Sequence, residues 1–325
     1  MLTLLSLHCP QCSAPLPRAA RWRTIHCAYC GATIVRGSET VERKTFRDAL
    51  QRAHAGHVEG RALLWRGHRY ALLSQLGTGD SAEVWLARKQ GAAPERVTVK
   101  MAWDEHRARD RLLAEAAALD ALRRLSAPGA AYFTQRLPQP VGVGIAEDSA
   151  GSARTALVLR HPAGFWGSLA DVRRLNPQGI DARHAVWIWR RMLEVLAFVH
   201  DNGWVHSSLT PEHALVHPRD HGVLLIGWAD AHRPGAGAID HAAARDLMQT
   251  TWTLRALLDG PSDDAPGLGP RTPDAMAALL RLCAEDETAC ARLGARGIEA
   301  ALSKAAREAW GAPQFIPFHP APQGA

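Results

Sequence analysis

Leu76-Gly77-Thr78-Gly79-Asp80-Ser81-Ala82-Glu83-Val84-Trp85 is the stretch on which the fold turns. Its glycines follow the pattern G-x-G-x-x-A, which fits two phosphate-binding arrangements. In one, the glycines follow a strand and open a helix, whose N-terminus receives the phosphate. In the other they form a turn between two strands that covers the phosphates. The residues downstream decide between them. Val84 to Ala87 is strand-like, a turn at 90–94 reverses the chain, and Val97-Thr98-Val99-Lys100 is strand-like again. Strand, glycine turn, strand and a third strand ending in lysine predict a covering hairpin.

The next segment strengthens this reading. Leu112, Glu115, Leu119 and Leu122 recur at helical spacing and share one stripe. Glu115 is the odd member of that apolar face, and a buried carboxylate needs a partner. Lys100 is the natural one. Of 38 basic residues only Lys44, Lys89, Lys100 and Lys304 are lysine, the rest being arginine, so a lysine here asks for a reason.

Together these residues resemble the protein kinase fold, in particular bacterial Ser/Thr protein kinases. Gly77, Gly79, Ala82 and Val84 look like the glycine-rich loop, Lys100 like the nucleotide lysine and Glu115 like its helix partner. Ala156-Leu157-Val158-Leu159, with Gly164 and Ser168-Leu169 beyond, looks like the hinge that holds adenine. Met192 to His200 looks like the long buried helix before the catalytic loop, and Asp246 like the aspartate that braces that loop. The resemblance implies an α+β, two-lobed kinase-like fold.

It also shows what is replaced. The family pattern H-R-D-L-K-P-E-N meets His206-Ser207-Ser208-Leu209-Thr210-Pro211-Glu212-His213. Ser208 stands at the proton-accepting aspartate, and a hydroxyl is a poor base without an activating neighbour. Thr210 replaces the lysine and His213 the metal-binding asparagine. After the strand Val223 to Ile226, Gly227-Trp228-Ala229 stands at the metal-binding D-F-G, where glycine has no side chain for magnesium. Asp230 is expected to face the other way in an extended segment. Phosphoryl transfer depends on positioning and on metal neutralising phosphate charge. Losing three such positions implies a pseudokinase without catalytic residues.

Upstream, Cys9-Pro-Gln-Cys12 and Cys27-Ala-Tyr-Cys30 form two C-x-x-C knuckles. Four thiolates so spaced can hold one zinc ion in a closed, structural site resembling a zinc ribbon. Cys283 and Cys290 are read as buried thiols on one helix face, too far apart along it to form a disulfide.

The remaining composition bounds the rest. The chain has 325 residues, 47% hydrophobic and 22% charged, ordinary values for a globular protein. The net charge of +6 is dispersed and lends little support to nucleic-acid binding. No stretch reaches the roughly 18 apolar residues of a membrane helix, and Leu2 to Leu7 is too short for a signal peptide. Expected divisions are a zinc ribbon at 1–35, a linker with helical character at 36–60, an N-lobe at 61–155, a C-lobe at 156–310 and an irregular tail at 311–325.

The expected function is a cytoplasmic regulatory or scaffolding pseudokinase with protein partners in a signalling complex. It is expected to bind ATP at Gly77, Gly79, Val84, Lys100 and Glu115 without efficient transfer. Two alternatives stand beside it. One is a weak or atypical phosphotransferase using Asp230 or His206, His213 and His217 as metal ligands. The other is a binding module whose ribbon surface, with Arg18, Arg21, Arg23, Arg36, Trp22 and Tyr29, meets protein or nucleic acid.

Overall fold

Residues 68–91 and 95–102 form antiparallel strands, and no helix follows the glycine turn. In this computed structural model the described residues are 24–26, 33–35, 61–91, 95–235, 237–259, 268 and 271–321. Near the N-terminus, strands β1 (Thr24–His26) and β2 (Thr33–Val35) pair antiparallel, with Ile25 opposite Ile34. The knuckle cysteines Cys9, Cys12, Cys27 and Cys30, the basic and aromatic residues around them, and the linker 36–60 lie outside the described residues.

The strands on either side of the glycine turn belong to a barrel. Strands β3 (Ala62–Trp65), β4 (His68–Thr78), β5 (Ala82–Lys89) and β6 (Glu95–Ala102) come first. Helix α1 (His106–Arg123) and the single turn α2 (Ala130–Phe133) follow. Strands β7 (Pro140–Asp148) and β8 (Ala153–Arg160) complete the sheet. The order is β3-β4-β5-β6-β8-β7, closed where Leu63 of β3 meets Asp148 of β7. Alternate residues point inward, so Trp65, Tyr70, Trp85, Val99, Met101 and Val158 form a core of their own. Glu83 and Arg154 make a 2.5 Å ion pair beside Met101. Helix α1 packs on β7 and β8, with Leu112, Leu119 and Leu122 essentially sealed from water.

The second body is mainly helical. Strand β9 (Gly167–Ser168) leads into α3 (Leu169–Leu175), started by a capping box in which Ser168 and Asp171 satisfy each other's backbone N–H. Asp181 caps α4 (Ala182–Asp201). Strands β10 (Ala214–His217) and β11 (Gly222–Leu225) form a hairpin, and β10 also pairs with β9. Helices α5 (Ile239–Asp259), α6 (Asp274–Glu285) and α7 (Glu287–Trp310) finish the body. Trp189 of α4 is fully buried and donates to Thr250 Oγ1 of α5 at 3.0 Å. Among the described residues no helix is long and apolar enough to cross a membrane.

Three features depart from expectation. Strand β8 runs through position 155, because Ala156 to Leu159 bond to β6 on one side and β7 on the other. Their backbones are spent in the sheet, and the crossing to the helical body begins only after Arg160. Second, Cys283 and Cys290 do not share a helix. Asp286 is extended at φ −122° and ψ 97°, ending α6 and capping α7 through Ala289 N. The break turns Cys290 Sγ back onto Cys283 O at 3.2 Å, so the helix-separation argument against a bridge does not apply to these buried free thiols. Third, residues 311–321 lack regular structure and are mostly exposed, but Phe318, at 4% exposure, and Pro320 are buried.

Candidate functional site

Lys100 on β6 and Glu115 on α1 meet at the junction of barrel and helix. Nζ lies 2.5 Å from Oε2, with Glu115 buried and the lysine side chain 18% exposed. Lys100 is paired with Val84 on one side and Leu157 on the other, so all three share the outer face of the sheet. Gly77 sits opposite Val84, and Gly79 N–H donates to Ala82 O to close the turn. A side chain on Gly77 would meet nothing within 4 Å. The turn is tied down from β6: Trp103 Nε1 donates to Gly79 O at 2.9 Å, and Trp103 N–H to Ser81 O.

The loop 206–213 is held by one carboxylate. Asp246 is fully buried in the middle of α5, not at its cap. Its Oδ2 accepts from His206 N–H at 2.8 Å and His200 Nε2 at 2.9 Å, and its Oδ1 from Ser207 N–H at 2.7 Å. Ser207 is thereby fixed in the left-handed region at φ +69°, a costly conformation for a non-glycine residue. His206 lies under it, 4.4 Å from the Trp228 ring centroid. Burial lowers its pKa to about 4, so it is neutral near pH 7. The partner fixes the tautomer: Nε2 faces Ile226 O at 3.1 Å, an acceptor, and therefore carries the proton.

The replaced positions lie together. His213 Nδ1 donates to Ser208 O at 2.5 Å, turning the ring toward Gly227. Gly227 is left-handed at φ +82°, and a Cβ placed there would lie 2.6 Å from His213 Cδ2 and 2.7 Å from Nε2. The imidazole thus fills the space a side chain at 227 would need. Thr210, exposed, precedes the turn 211–213. His217 is elsewhere, 3.1 Å from Asp220 and edge-on to Phe165, with its ring crowding Gly164. The three histidines therefore do not converge, and among the described residues no group of His, Cys, Asp and Glu is arranged to hold a metal ion.

Asp230 is a nearby carboxylate that could substitute. The chain there is a 3-10 turn (Trp228–Asp230) and not the extended segment expected. What removes it is Arg111 of α1, whose Nη1 and Nη2 donate to both carboxylate oxygens at 2.7 Å. That pairing holds the Asp230 carboxyl below the usual range. Sequence reasoning missed Arg111, though it lies one helical turn before Glu115 and so on the same side of α1. It also missed Trp103 and His200. In a chain so rich in arginine, Arg111 carries no compositional signal.

Arg160 N–H goes to Gln139 O, His161 N–H to Arg96 O, and Pro162 has none. Thr98 Oγ1 and His161 Nδ1 are 3.1 Å apart and link this segment to the sheet.

No family model matches the chain, and no curated protein matches it. Among solved structures, a crystal structure described as a kinase domain is similar to 60% of this chain at 13% identity, with a TM-score of 0.46. This chain covers 64% of that structure's length, less than two thirds.

Proposed function

We propose that this protein is a pseudokinase: a kinase-fold module that regulates or scaffolds a protein partner in a signalling complex. Its cleft takes adenine nucleotide beside Lys100 without transferring phosphate efficiently. The observation that carries the reading is the contact between His213 and Gly227, which fills the space of a metal-binding side chain with an imidazole. Hard cations need aimed oxygens. Ser208 offers a hydroxyl, Gly227 nothing, and Asp230 is neutralised by Arg111. These residues do not fit magnesium. The ion pair of Lys100 and Glu115 supports a place for phosphate charge under the glycine turn.

The N-terminal knuckles add a second element of the proposal. Cys9, Cys12, Cys27 and Cys30 supply four soft thiolates, the donor set that suits a closed zinc site. Such a site stabilises a small ribbon that has little core of its own.

Thermal unfolding with ATP, with and without magnesium, tests the cleft. The expected result is the same rise in midpoint in both conditions. Lys100→Met combined with Glu115→Gln, which removes both charges together, is expected to abolish it. A rise that requires magnesium would favour a weakly active phosphotransferase instead.

A further inference from the structure

A cavity lies on the helical body, lined by none of the residues around Lys100 and Glu115. It has a volume of about 210 Å³ and sits between α4, the end of α7 and the strap of residues 311–316. The strap is preformed. Gly311 turns it at φ +77°, and Phe318 anchors it by stacking on His221 at 5.3 Å and tilting against His184 at 4.9 Å. Asn176 Nδ2 donates to Pro320 O at 2.8 Å and fixes its far end.

The lining is amphipathic. Val186, Ile316, Pro313 and the indole of Trp310 give apolar walls, and Arg190 and Arg307 bring positive charge. Arg190 reaches Glu299 at 3.3 Å through Nη2, but its Nε is buried with no hydrogen-bond partner. Arg307 is exposed and makes no ion pair among the described residues. An anion in the cavity would meet the Arg307 guanidinium, a charge-assisted contact that favours an acid over its neutral amide. We propose that this cavity binds an amphipathic organic carboxylate, with its negative group at Arg307 and an apolar body between Val186, Ile316 and Trp310. The volume suits one small ring system, and a preformed wall lowers the cost of ordering it.

Titration calorimetry of the whole chain with 2-naphthoate, and with the neutral 2-naphthamide as control, tests this. The expected result is saturable binding of naphthoate, about tenfold or more tighter than naphthamide, as one charge-assisted contact would give. Arg307→Gln, at an exposed position that leaves the fold intact, should weaken naphthoate by a similar factor and leave naphthamide unchanged. No saturable binding, equal affinity for acid and amide, or indifference to Arg307→Gln would each overturn the proposal.

Discussion

His213 and Gly227 are explained by each other better than by either alone. The imidazole can lie where it does because position 227 has no Cβ. Gly227→Asp is therefore expected to destabilise the fold by about 2 kcal/mol through overpacking. Adding His213→Asn should recover the overpacking share of that loss but not the strain of a side chain at φ +82°, as a thermal unfolding series would register. Asp246→Ala is expected to cost about 3 kcal/mol or more, since it leaves two backbone N–H groups and His200 Nε2 without their acceptor. Denaturant unfolding would measure it. The pair of Lys100 and Glu115 was legible in the sequence because helical spacing places a carboxylate inside an apolar stripe. The contact of His213 with Gly227 was not. Each substitution could be seen, but their contact joins residues 14 apart in two different turns, and only packing reveals it.

At the scale of elements, protons and ion pairs decide how the pieces hold together. The hairpin of β10 and β11 meets α4 through two imidazoles, His184 Nδ1 and His221 Nε2, 2.8 Å apart. Burial and the neighbouring His184 lower His221 to about 3, and burial lowers His206 to about 4. Both folded values lie below the unfolded 6.5, so the unfolded chain binds more protons as pH falls. Stability is thus expected to be full above pH 6.5 and to drain as pH drops toward 4 and below. Each buried histidine contributes on the order of 3 kcal/mol to that loss. His221→Asn, which tolerates the φ of +55°, should flatten this acid limb in unfolding scans across pH. Asp230 and Arg111 tie α1 to the turn after β11, and a double-mutant cycle should give at most about 1 kcal/mol, because both side chains are a third exposed. The strands and α1 were legible from periodicity. The break between α6 and α7 was not read, although Asp286 before Glu287 is a helix-start signal, because an unbroken run of helix formers on either side concealed it.

The molecule as a whole is α+β: a closed barrel with its own core, and a helical body whose larger core also takes in α1. That division was foreshadowed by glycine and lysine signals before residue 100 and long apolar helices after 180. The strap 311–321 was read only as irregular. Its Pro and Gly content predicts the absence of helix and strand but says nothing of how Phe318 packs. The cleft's chemistry unites the two bodies, since Lys100 and Arg111 come from the barrel side and His213, Gly227 and Asp230 from the helical side. The pseudokinase reading is tested by transfer of the terminal phosphate from labelled ATP, with magnesium or manganese, to the protein itself or to general protein acceptors. Incorporation by the native chain is predicted to equal the background of the Lys100→Met and Glu115→Gln double variant. Incorporation above that background, dependent on the metal, would make the protein an active phosphotransferase.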